Sequence, residues 1–93
     1  MIALQPSYVH DRPIFLDPTT IRRMQRPSTT QIWVEGYDEC IQVQETPEQV
    51  AALASAWSNR WEFEKHLGVH ATYVDFRDQR VTYHYLEKNF HDQ

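Results

Sequence analysis

Between Thr29 and Trp57 the hydrophobic pattern changes period, and that change restricts the chain to a mixed architecture. Ile32 and Val34 alternate with Gln31, Trp33 and Glu35, and beyond Gly36-Tyr37-Asp38 the residues Ile41 and Val43 alternate with Gln42 and Gln44. A period of two on both sides of a glycine-containing loop predicts a β-hairpin over Thr29–Gln44. At Thr46 the rule changes. Thr46 can cap a helix, Pro47 suits its first position, Glu48 favours the positive dipole end, and Gln49 completes a capping box. Val50, Leu53, Ala54, Trp57 and Trp61 then recur every three or four residues, predicting an apolar helical stripe laid over the hairpin. Ser58-Asn59 offers one end for this helix; Gly68, a left-handed cap, offers a later one that extends it to Leu67, and the longer helix is preferred.

The flanks are more ambiguous. Four of the five prolines stand at positions 6, 13, 18 and 27, which rules out a long helix in the first quarter and leaves short strands and turns. Pro13-Ile14-Phe15-Leu16 suits a brief first or edge strand. Asp17-Pro18-Thr19-Thr20 fits either a turn or one helical turn. Ile21–Arg26 fits a strand with Ile21 and Arg23 on one face, or a helical turn with Ile21 and Met24 inward. Ala71–Phe76 and Val81–Leu86, rich in β-branched and aromatic residues, predict a second hairpin around Arg77-Asp78-Gln79-Arg80, with a frayed end from Asn89 to Gln93.

These elements make an α+β fold: a small antiparallel sheet of hairpins, from Thr29–Gln44 and Ala71–Leu86, packed against one main helix, with residues 1–93 as a single compact domain. A chain of this length buries only about two-thirds of the surface it exposes when unfolded, so its core is small. Aromatics at 13% are generous for such a core and leave material for a contact surface. The net charge of −4 argues against general affinity for nucleic-acid backbones or anionic membranes. Residues 1–35 carry four Arg against three acids, and residues 36–93 carry five basic residues against ten acids. Cys40 stands alone, which excludes an internal disulfide and a four-cysteine zinc site and suits a reducing, cytoplasmic setting; no apolar run reaches transmembrane length.

No pattern carries catalysis. His66 and His70 have the spacing of two metal ligands on one helical face, yet Gly68 interrupts them and no Glu follows His66, so they read as helix-end histidines and no metal is assigned. His84, Asp75 and a serine could form a hydrolytic triad only if the fold assembled them. Gly36 and Gly68 are the only glycines, too few for a phosphate-binding loop. Carboxylate pairs such as Glu62/Glu64 and Asp75/Asp78 read as solvated charge. No catalytic residue and no cofactor are assigned.

Binding is better supported. Trp33 falls on the polar side of its strand, where the N-terminal segment, the C-terminal hairpin or a partner has to cover it. Trp and Arg dominate binding hot spots, so Trp33, Tyr37, Arg22 and Arg23 form the expected protein-binding patch, with Arg26 nearby.

The order Phe15-Leu16-Asp17-Pro18-Thr19-Thr20-Ile21, Thr30-Gln31-Ile32-Trp33-Val34-Glu35-Gly36 and Ile41-Gln42-Val43-Gln44-Glu45-Thr46-Pro47-Glu48-Gln49-Val50 resembles the FlbD-type small proteins of bacterial flagella and swarming, over residues 14–54. Similar small proteins occur in phage genomes. The resemblance implies a non-enzymatic binding or regulatory protein and assigns no site residue. The expected function is therefore a small protein-binding or regulatory module acting on a protein partner, with homodimerisation through spare sheet edges as a further expectation. Other readings are a phage-encoded inhibitor of a host protein, a nucleic-acid-associated accessory protein using the arginines, and a metal-dependent hydrolase.

Overall fold

The computed structural model describes residues 1–7 and 12–85. The expectations for Leu86 and for Asn89–Gln93 lie outside them. In chain order the elements are β1 (Ile2–Leu4), β2 (Ile14–Leu16), a 3-10 turn (Pro18–Thr20), β3 (Ile21–Gln25), β4 (Thr30–Val34), β5 (Ile41–Val43), α1 (Pro47–Ser58), α2 (Arg60–Leu67), β6 (Ala71–Arg77) and β7 (Arg80–Tyr85).

The α+β class holds, with sheet packed against helix. The two predicted hairpins, however, lie in different sheets. A four-stranded sheet has the order β2-β1-β6-β7 and a three-stranded one the order β3-β4-β5. The reason is β1. Ile2, Ala3 and Leu4 are all buried, and they form a central strand, antiparallel to β2 and parallel to β6 through Ile2 and Val74. The C-terminal hairpin therefore pairs with the start of the chain rather than with the Thr29–Gln44 hairpin.

The same segment then reaches the second sheet. Gln44 N donates to Gln5 O at 2.8 Å and Ser7 N donates to Gln42 O at 3.0 Å, with Pro6 facing Val43. Both carboxylate oxygens of Glu45 accept the Gln5 N–H at 3.0 Å. Burial raises the Glu45 pKa against the lowering effect of this hydrogen bond. On the other side, Asp17 caps the 3-10 turn by accepting from Thr19 N at 2.9 Å and Thr19 Oγ1 at 2.7 Å, which lowers its pKa. This turn delivers the chain from β2 into β3.

Neither reading of Ile21–Arg26 was complete. The segment is a strand, but a β-bulge between Ile21 and Arg23 puts Arg22 out of register. Ile21 and Met24 consequently both pack against the core, which explains a helix-like spacing of three within a strand.

The core joins Ile2, Leu4, Leu16, Ile32, Val34, Val43, Val50, Leu53 and Val74, from both sheets and α1. Complete burial of such a side chain contributes about 1.5–3 kcal/mol. The capping box forms as expected: Gln49 N donates to Thr46 Oγ1 at 3.1 Å and Thr46 N donates to Gln49 Oε1 at 2.9 Å. Val50 and Leu53 are fully buried and Trp57 is half-buried. Tyr83 of β7 donates its hydroxyl to Ala56 O at 3.0 Å, pinning α1 across the sheet.

The preferred single helix to Leu67 does not form; the first helix stops at the earlier of the two expected ends and a second one reaches the later. The helix breaks at Asn59, at φ −98° and ψ 7°, and resumes until Gly68, which is left-handed at φ 65° and donates to Glu64 O at 2.9 Å. Trp61 leaves the expected apolar stripe and is 55% exposed. After the break, Arg60 and Glu64 occupy the inward side of α2: Arg60 Nη1 donates to Trp57 O at 2.9 Å, and Glu64 Oε2 accepts from Ala71 N at 2.9 Å.

Candidate functional site

Trp33 lies on the outer face of the three-stranded sheet, opposite the buried Thr30, Ile32 and Val34. Its strand alternates as the sequence requires, and the ring is half-buried. Neither the N-terminal segment nor the C-terminal hairpin supplies the cover seen among the described residues. Arg23 does, with its guanidinium carbon 4.1 Å from the ring centroid. The bulge at Arg22 brings Arg23 directly opposite Trp33 across the β3–β4 ladder. Such a cation–π contact is worth about 0.5–1 kcal/mol at an exposed site, so Arg23 is held there only lightly.

The surroundings of this pair are polar. Arg22 Nη2 donates to Glu35 Oε1 at 3.5 Å, with both side chains mostly in water. Tyr37, at 68% exposure, follows the turn in which Gly36 takes φ 90° and Tyr37 N donates to Val34 O at 3.1 Å. Toward the other end, Gln25 Nε2 donates to Gln31 Oε1 at 2.9 Å and Thr29 Oγ1 donates to Gln42 Oε1 at 3.0 Å. Trp33 and Arg23 thus share the outer side of the sheet with the Arg22–Glu35 pair, bordered by uncharged amides, while Tyr37 stands exposed in the turn beyond β4.

Arg26 departs from this group. Its Nη1 donates to Thr30 Oγ1 at 2.9 Å, to Glu45 O at 3.4 Å and to Gln44 O at 3.5 Å. Thr30, fully buried, donates its hydroxyl to Glu45 O. Arg26 fastens β3 to the approach of α1, and the three arginines do not form one phosphate-binding patch.

Two other constellations are resolved. His66 and His70 are separated by the Gly68 reversal, and His70 Nδ1 lies 3.8 Å from Glu64 Oε2. Among the described residues no three His, Cys, Asp or Glu side chains are grouped to hold a metal ion. His84 and Asp75 do meet: His84 Nε2 is 2.8 Å from Asp75 Oδ1 across the β6–β7 ladder. Arg77 Nε donates to the other Asp75 oxygen at 3.2 Å, and the Tyr73 ring stacks on His84 at 4.2 Å. Asp75 thus joins His84 and Arg77, and the group reads as a hydrogen-bonded network on the hairpin.

Sequence reasoning missed one concavity, a cleft of about 390 Å³ lined by Asp17, Pro18, Thr19, Ala54, Trp57, Ser58 and Arg60. Arg60 stacks on Trp57 there, 3.9 Å from the ring centroid. The cleft also needs Asp17, Pro18 and Thr19 from a turn distant in sequence, which no local pattern announces.

No family model matches the chain, and neither curated proteins nor solved structures give a significant match. No helix among the described residues is long and apolar enough to cross a membrane.

Proposed function

We propose that this chain is a small, non-enzymatic protein-binding module whose contact surface is the outer face of the three-stranded sheet, centred on Trp33. The carrying observation is the Trp33–Arg23 pair: a large aromatic on a solvent-side face, with a cation laid over it at 4.1 Å. Trp and Arg are among the residues that dominate binding hot spots, and here Trp33 and Arg23 lie on a sheet face whose opposite side is anchored in the core. A rigid backing lowers the ordering cost of association. Arg22 and Arg23 favour a partner surface that presents carboxylates, with which a guanidinium can form paired hydrogen bonds.

The FlbD-type resemblance of residues 14–54 supports a regulatory role, exerted by occupying a partner's site. The unpaired Cys40 supports a cytoplasmic location. The test is capture of partners on immobilised protein, comparing wild type with Trp33→Ala and Arg23→Ala after circular dichroism has shown that both variants fold. A partner retained by wild type is released by Trp33→Ala and weakened by Arg23→Ala. Equal retention by all three removes this surface from the reading.

A further inference from the structure

The second helix is fastened differently from the rest of the molecule. None of its residues is buried. Its two half-buried side chains are charged, Arg60 and Glu64, whereas Trp61, Phe63 and Leu67 are 55%, 46% and 57% exposed. In contrast, α1 sinks Val50 and Leu53 into the core and opens with a capping box, while the Asn59 side chain makes no capping bond at the start of α2.

A short set of contacts holds α2 in place. Arg60 lies over the Trp57 indole at 3.9 Å and donates from Nη1 to Trp57 O at 2.9 Å. One turn on, Glu64 Oε2 accepts from Ala71 N at 2.9 Å and stands 4.0 Å from Arg60 Nε. Phe63 meets the Tyr83 ring with centroids 4.7 Å apart. Contacts of these kinds each favour the docked helix by a factor of roughly two to ten. Without them an eight-residue helix does not persist in water. The remainder of the fold does not rest on α2: among the described residues, the core and the side chains packed against it come from the strands and α1, and Tyr83 stays tied to α1 through Ala56 O.

We infer that α2 opens as a separate unit, detaching and unfolding over residues 59–70 while α1 and both sheets stay folded, with Arg60 and Glu64 as its latch. Arg60 is also a wall of the cleft beside Asp17, Thr19 and Trp57. Opening withdraws that wall and bares one face of the indole, so the latch sets which of two forms the cleft takes. The Trp33 surface, on the other sheet, takes no part.

Native-state amide hydrogen exchange of the full chain, read residue by residue over a series of sub-denaturing urea concentrations, tests this. The amides of residues 64–68 are expected to be roughly a hundredfold less protected than those of Leu53 and Val74, with little dependence on urea because the opening exposes little surface. Ile32→Val, a mild core change remote from α2, is expected to lower the protection of Leu53 and Val74 roughly two- to tenfold and to leave residues 64–68 unchanged, since its contacts survive the opening. Arg60→Ala and Glu64→Ala are each expected to lower the protection of residues 64–68 by roughly two- to tenfold. Protection of residues 64–68 that equals that of Leu53 and falls with Ile32→Val overturns the separate opening. Exchange of residues 64–68 indifferent to both Arg60→Ala and Glu64→Ala overturns the latch.

Discussion

His84 Nε2 and Asp75 Oδ1 meet at 2.8 Å between neighbouring strands, and Arg77 holds the other Asp75 oxygen at 3.2 Å. One carboxylate thus ties two basic groups to the outer face of the C-terminal hairpin. Because all three side chains keep some contact with water, the expected His84–Asp75 coupling is about 1 kcal/mol, toward the upper end for exposed pairs. A urea double-mutant cycle with Asp75→Ala and His84→Ala measures it. Asp75→Ala is the costlier single change, since it releases both partners.

For Trp33 and Arg23 the expectation separates stability from binding. Their coupling is about 0.5–1 kcal/mol, so Arg23→Ala lowers the thermal midpoint by about 2–8 °C in a domain of this size. The same substitution uncovers the indole and moves Trp33 fluorescence to longer wavelength, referenced to Trp33→Phe. A destabilisation well above this range would assign the pair a structural role.

Glu45 gives the fold a pH dependence of unusual sign for a carboxylate. Burial raises its folded pKa above the ordinary 4.5, so the folded state holds the proton more tightly than the unfolded state. The contribution is fully favourable below the unfolded value and is lost as pH rises through the folded one. Glu45→Gln keeps an acceptor for the Gln5 N–H and removes the charge. Urea denaturation should find it more stable than wild type at neutral pH, with the difference closing as pH falls toward 4.5. Asp17 has the opposite sign: its lowered pKa gives stability present above its ordinary 3.8 and lost as pH falls through the folded value.

Removing the helix cap and removing a core side chain should differ in scale. Thr46→Ala deletes half of the capping box and costs about 1 kcal/mol. Leu53→Ala leaves a cavity under α1, where Leu53 is fully buried, and costs about 2–5 kcal/mol. Chemical denaturation of both variants orders them; a cap loss equal to the core loss would contradict this account.

Much of the second sheet and of α1 was legible because local rules act alone there. The alternation around Ile32 and Val34, the Gly36 turn and the Thr46–Gln49 box each depend on residues close in sequence. Ile2-Ala3-Leu4 was unreadable as a central strand: three apolar residues have no measurable period, and their partners lie at Ile14–Leu16 and Val74. Trp61 was misplaced because the Asn59 break reset the helical phase. The candidate surface was legible as residue types, with Trp33 on the polar face. Its geometry was not, since a bulge at Arg22 sets which arginine meets the ring and leaves Arg26 to the scaffold.

The placement of β1 also governs when the protein can fold. Ile2 pairs with Val74, so this inner strand is synthesised long before β6 and gains that second neighbour late. Until then its apolar side chains and open hydrogen-bonding groups are exposed. A topology closed by such distant contacts folds slowly for its size. A chain cut after residue 54, retaining the hairpin and the start of α1, would keep most of its local structure yet lack the strand that completes the sheet around β1.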